Sequence, residues 1–270
     1  GGLDWSVSQF PPITNAEHLR SYRPKDAAYA LYCYEHLKDL ITEYKPEILW
    51  GDIDYPDFGK REGAYSLAEI FDYYYKTVPD GVVNDRWQVP HADFKTSEYQ
   101  YMLGNESAET WENCRGIGLS FGYNQVEDQK HYMSVPEALR HLIDIVSRGG
   151  NFLLNVGPDA DGLIPEFQIQ VLEGIGAWLA INGDAIYATT SATDCERSDT
   201  PWVRWTAKGK TRFAIIDKMG TVDLKIPSSF TSSTASILGG GTIQIQQEKG
   251  VATLEIPSSK VEGPTVIQFH

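Results

Sequence analysis

The apolar periodicity changes once along this 270-residue chain, near residue 185, and that change limits the folds open to it. Upstream, Ala30, Cys33, Tyr34, Leu37, Leu40, Ile41 and Tyr44 recur at three- and four-residue steps, one face of an amphipathic helix. Pro24 suits its first turn and Pro46 ends it. A strand over 47–51 follows, then a helix over about 62–77 carrying Leu67, Ile70, Phe71 and Tyr74, then the short run Val82-Val83. Helix and strand in alternation describe a parallel α/β sheet. Residues 88–114 read as a long polar and aromatic loop, and 116–124 as a glycine-rich strand. Ser134 and Glu137 form a capping box for a helix over 135–148, Gly149-Gly150 ends it, and 151–156 is a buried strand. A last helix spans Pro165 to Asn182, with Phe167, Val171, Ile175, Trp178 and Leu179 inward.

From Ala185 onward, helical spacing gives way to alternating runs at 203–206, 212–216, 221–226, 242–245, 252–256 and 266–269, parted by turn residues. Period-two strands at this spacing predict an antiparallel β-sandwich over 185–270, a second domain after 1–184.

The chain carries 37 acidic against 23 basic residues, a net charge of −14. That argues against nucleic acid and anionic membrane surfaces as partners, since both require clustered Lys and Arg. No apolar run approaches the roughly 20 residues that span a bilayer. Cys33, Cys114 and Cys195 lie far apart without a CxxC pair, which permits one disulfide and leaves the compartment open. The histidines show no metal-binding spacing, and the turn at 157–162 has too few alternating carboxylates for a calcium loop.

The chemistry concentrates at Glu47–Pro56, a buried strand that stops at Asp52 and Asp54 beside Trp50 and Tyr55. If the chain stayed extended there, both carboxylates would share a face and one would tune the other. Sugar cleavage with retention needs two carboxyl groups about 5–5.5 Å apart, one attacking the anomeric carbon and one protonating the leaving oxygen. Glu98, in the loop after the next strand, fits the second role, with Glu106, Glu109 and Glu112 as competitors. Arg86 either pairs with Asp85 or offers a fixed fork of donors to a sugar or a catalytic carboxylate. Trp50, Tyr55, Trp87, Tyr99 and Trp111 can each be a wall against a sugar ring or part of the core.

Several stretches together resemble the retaining α-L-fucosidases of glycoside hydrolase family 29. They are Leu49-Trp50-Gly51-Asp52, Val83-Asn84-Asp85-Arg86-Trp87, Asp93 to Tyr99, Trp111 to Gly118 with Ser120 to Asn124, and Gly149 to Pro158. Ile164-Pro165-Glu166 and Gly183 to Tyr187 continue them in order. The resemblance implies a partial (β/α)8-like TIM barrel followed by the sandwich, and removal of terminal L-fucose from fucosylated oligosaccharides or glycoconjugates. It puts the nucleophile on Asp52, the acid/base on Glu98 and sugar or nucleophile contacts on Trp50 and Arg86, with no metal or organic cofactor. It also implies a segment ahead of Gly1 that supplies the first barrel strands and a paired-histidine motif. The expectation is therefore a homo-oligomer or an accompanying N-terminal chain, the alternative being a fucose-binding remnant without turnover.

Overall fold

The computed structural model describes residues 27–60, 63–99, 110–227 and 229–269. The helix start at Pro24, the stretch before it and the competitors Glu106 and Glu109 lie outside these residues. By internal contacts the chain divides into two compact units, Gly1–Asp93 and Phe94–His270.

In the first unit, helix α1 spans Ala27–Tyr44 and strand β1 Ile48–Leu49. Helix α2 covers Leu67–Thr77, and strand β2, Val82–Val83, lies parallel to β1 with Leu49 opposite Val83. Helix α2 begins later than its apolar pattern suggests. Gly63 and Tyr65 both have positive φ, which a helix excludes, and the Ser66 hydroxyl accepts from the Glu69 amide as the cap. Ile41, Leu49, Ile70, Phe71, Tyr74 and Val83 form the core of this unit. The Tyr74 hydroxyl shares its one proton between the carbonyls of Pro46 and Glu47, each 2.9 Å away, tying α2 to the entry of β1. The face assigned to α1 is only partly inward: Ala30 and Ile41 are buried, whereas Leu40 and Tyr44 are exposed.

In the second unit, β3 (Lys95–Glu98), β4 (Trp111–Gly116) and β5 (Gly150–Asn155) form a parallel sheet in that order. Two expectations are corrected here. Residues 95–98 are a strand rather than loop, hidden from periodicity because Lys-Thr-Ser-Glu is polar on both faces. Residues 117–124 are a folded-back loop rather than a strand, the strand being Trp111–Gly116 before it. A Cβ on Gly116 would stand 2.5 Å from the Ser120 carbonyl, so glycine there lets the chain close on itself. Glu127 locks the closure, accepting from the Ser120 hydroxyl at 2.6 Å and from the Leu119 amide.

Helix α3, Val135–Ser147, carries the expected Ser134–Glu137 capping box, and α4 covers Glu166–Asn182. Both pack Leu139, Ile143, Val171 and Trp178 against Trp202, Phe213, Ile215 and Val266. Those four belong to an antiparallel sheet of β6 (Thr190–Ser191), β7 (Ser198–Asp199), β8 (Trp202–Lys208), β9 (Thr211–Ile216), β11 (Thr234–Ile237), β12 (Thr242–Gln244) and β15 (Thr265–Phe269). The opposite face of this sheet shares a second core with β10 (Gly220–Lys225) and β14 (Val251–Ile256), which pair antiparallel, with β13 (Gln246–Glu248) on the other edge of β14. Strand β11 escapes a periodic reading because it emerges from a Ser/Thr-rich run. On α3, the buried Asp144 accepts from Arg204 of β8 and from Arg148 at 3.0 Å, so its charge is matched where helix meets sheet. All three cysteines are free thiols. No helix among the described residues is long and apolar enough to cross a membrane.

Candidate active site

The first unit builds its site at the ends of β1 and β2. After Leu49 the backbone pairing is continued by a side chain: Asn84 Nδ2 donates to the Gly51 carbonyl at 2.7 Å, and the Gly51 N–H donates to Asn84 Oδ1 at 2.9 Å. Asn84 is fully buried, so both bonds are shielded from water. Gly51 itself sits on the Trp87 ring, where a Cβ would come within 2.8 Å of ring carbon. Phe71 meets the same ring edge-on at 5.7 Å. At β2, Asp93 grips Val83 twice, donating from its N–H to the Val83 carbonyl at 2.9 Å and accepting from the Val83 N–H at 2.7 Å. The Tyr75 hydroxyl donates to the same carboxylate at 2.6 Å; burial and that acceptor together push its pKa up.

On this frame the chain bends at Asp52-Ile53, so the alternation that would put Asp52 and Asp54 on one face is broken. Asp54 instead accepts from Lys60 at 3.1 Å, and Lys60 also reaches Asp57 at 3.0 Å. Asp52 is presented outward, its side chain 76% exposed, with Arg86 Nη1 at 3.3 Å from Oδ1. The Arg86 guanidinium lies 4.5 Å from the Trp50 ring centroid, a cation–π stack that fixes the plane of its donors. Trp50, Asp52 and Arg86 are thus brought together. Beside them opens a cavity of about 330 Å³. Its far wall comes from α1: Tyr29, Tyr32, Cys33 and His36, with His36 packed on Tyr32 at 4.1 Å between ring centroids. Cys33 lies on the periodic face of the helix, but Tyr29, Tyr32 and His36 are not marked by the sequence, because α1 carries aromatic residues on both its inward and its outward faces.

Of the other aromatic candidates, Tyr55 and Trp87 are core residues that also line this cavity, and Trp111 is 2% exposed and belongs to the core beneath Gly150. The Tyr55 hydroxyl donates to the Tyr65 carbonyl at 2.7 Å, which closes the loop after Asp52 over α1.

In the second unit, Glu98 is the exposed last residue of β3, opposite Cys114 of β4. Glu112, its remaining described competitor, is a buried residue inside β4. Among the described residues no group of three or more His, Cys, Asp or Glu side chains can hold a metal ion.

With that geometry in hand, comparison with known proteins points one way. The family model described as alpha-L-fucosidase matches residues 3–184. An alpha-L-fucosidase of Dictyostelium discoideum is 32% identical over 263 residues, 93% of this chain and 55% of that protein. The plasma alpha-L-fucosidase of Homo sapiens is 32% identical over 256 residues, 90% of this chain and 53% of that protein. The chain therefore spans about half the length of these relatives. Among solved structures, an alpha-L-fucosidase superposes with a TM-score of 0.85 at 36% identity, covering 100% of this chain and 62% of that one. The Thermotoga maritima alpha-fucosidase in complex with fucose gives 0.82 at 35% identity, covering 96% of this chain and 60% of that one. With two thirds of its length matched by the family model, this chain belongs to the alpha-L-fucosidase family.

Proposed function

We propose that the protein hydrolyses terminal α-L-fucosides of oligosaccharides or glycoconjugates with net retention. Asp52 attacks the anomeric carbon as the glycosidic C–O bond breaks, and Glu98 gives its proton to the departing oxygen. Glu98 then takes a proton from water as that water displaces Asp52 and frees fucose. A sugar hydroxyl in place of water gives transfucosylation. No metal or organic cofactor enters these steps. The observation that carries the reading is the clamp on Asp52: a carboxylate at a strand end, open to solvent, held by an arginine stacked on Trp50. Family membership and the fucose-bound relative support it.

The architecture proposed with it is a partial (β/α)8-like barrel over 1–184 and a β-sandwich over 185–270. The parallel pairs β1–β2 and β3–β4–β5, alternating with helices, support the first; two antiparallel sheets around one core support the second. Among the described residues β1 pairs with β2 alone, which leaves room for a further strand. A homo-oligomer or an accompanying chain would supply one, and a monodisperse monomer in light scattering with no second chain in native mass spectrometry counts against both.

Asp52→Ala is expected to abolish nitrophenol release from an aryl α-L-fucoside with unchanged circular dichroism. Full activity in that variant overturns the nucleophile assignment. Fucose binding without turnover by the intact wild type would make the protein a binding remnant instead.

A further inference from the structure

Glu98 is followed by a residue in an uncommon backbone conformation: Tyr99 has φ +53°. Side chains other than glycine are disfavoured there, so the surroundings must over-determine it. Four contacts do so. The Tyr99 N–H donates to the Cys114 carbonyl at 3.1 Å, and its hydroxyl accepts from the Gly116 N–H at 3.4 Å. Phe121 meets the ring at 5.1 Å, and the Arg115 guanidinium lies over it at 5.3 Å.

Arg115 is itself pinned. Its Nε donates to the Gly116 carbonyl at 3.2 Å, and its Nη1 donates to His141 Nε2 at 2.8 Å. That second bond requires a lone pair on Nε2, hence a neutral ring with its proton on Nδ1. Burial, and then the charge of Arg115, keep His141 neutral down to a pKa of about 4. The ring lies at 21° to Phe152, 6.5 Å between centroids, which holds it in place under the arginine.

We propose that Arg115 is a positioning residue for Glu98: seated on neutral His141, it clamps Tyr99 in the left-handed turn that fixes how Glu98 leaves β3. This rests on Glu98 being the acid/base. The clamp needs a planar fork, because three directions are used at once: the Gly116 carbonyl, the His141 nitrogen and the Tyr99 face. A lysine ammonium can retain the charge but not this geometry.

The test uses two substrates on the intact protein, phenyl and 2,4-dinitrophenyl α-L-fucoside. Only the poorer phenolate leaving group needs the proton from Glu98. Arg115→Met and Arg115→Lys are expected to lower kcat/KM for the phenyl substrate roughly tenfold or more, as a displaced acid would. The loss on the dinitrophenyl substrate should be several times smaller, and added azide should accelerate turnover by replacing base-activated water. Equal losses on both substrates without an azide response, or no loss at all, overturn the clamp. Glu98→Ala is the control: if it lacks the leaving-group and azide signatures, the acid/base reading has failed and the clamp falls with it. If Glu98→Ala shows them and neither Arg115 variant does, the positioning role alone is wrong. Melting temperatures of all variants identify a misfolded one, and the milder Arg115→Lys keeps the test decisive should Arg115→Met be unstable.

Discussion

The Asn84 side chain hydrogen-bonds Gly51 in both directions, donating to its carbonyl at 2.7 Å and accepting from its N–H at 2.9 Å. An amide side chain here does the work of a strand, one residue before Asp52. Asn84→Ala strands a buried donor and a buried acceptor and should destabilise the fold by about 2–4 kcal/mol. Asn84→Asp keeps the acceptor but leaves the Gly51 carbonyl unpaired and buries a charge, so it should cost at least as much. Urea denaturation checks both, and a loss below about 0.5 kcal/mol for Asn84→Ala would mean that the two bonds are replaced by water.

Arg86 should separate activity from stability. Its pair with Asp52 is exposed on the Asp52 side and its stack on Trp50 is one cation–π contact, so Arg86→Met is expected to cost no more than about 2 kcal/mol of folding free energy. Fucosidase activity should fall roughly a hundredfold, because Asp52 loses the donor that orients it. Parallel denaturation and aryl-fucoside kinetics measure the two effects.

Gly51→Ala introduces a methyl 2.8 Å from Trp87 ring carbon, in a ring already packed by Phe71. The overpacking should cost about 1–3 kcal/mol. A drop in melting temperature accompanied by a shift in tryptophan emission is the expected result, and neither would appear if the ring could move aside freely.

His141 should contribute an acid-sensitive term to stability. Folded, its pKa is lowered to about 4, from an ordinary 6.5, by burial and then by Arg115, opposed by Asp144 and Glu137. Below about 6.5 the unfolded chain therefore binds a proton that the folded chain refuses. This share of stability is intact above 6.5 and is lost as pH falls towards 4. His141→Gln retains an acceptor for Arg115 and cannot titrate, so its stability should depend less steeply on pH over that window. Denaturation midpoints at several pH values compare the two proteins, and parallel curves would remove His141 as the source.

What could be read from the residues alone was whatever is encoded within a few positions. Ser134 and Glu137 announce their helix through the capping box, and the apolar run Val82-Val83 announces a strand, although that strand ends before Arg86, in a turn over Asp85–Trp87. Polar strand β3 was invisible because only Phe94 beside it is buried. The stretch after Gly116 imitated strand alternation through its glycines, yet those glycines serve a loop that closes on Glu127. Asn84 gives no warning either: it sits within a stretch that reads as strand up to Arg86, and its role depends on Gly51, thirty-three residues away. On α1 the outward aromatics Tyr29, Tyr32 and His36 were hidden among inward ones, although they form the cavity wall facing Asp52.

The sheet that contains β8, β9 and β15 has apolar residues committed on both sides: Trp202, Phe213 and Ile215 to the helices, Val203, Ala214 and Ile216 to the smaller sheet. The family model stops at residue 184, at the 3-10 turn that follows α4. A protein engineer who trimmed the gene there would not release an independently stable module. The cut would strip the cover from Leu139, Ile143 and Trp178, side chains that are fully buried in the intact protein, and produce an aggregating product. Swapping C-terminal regions between relatives therefore requires carrying the helix-facing residues of the sheet along with the helices they cover.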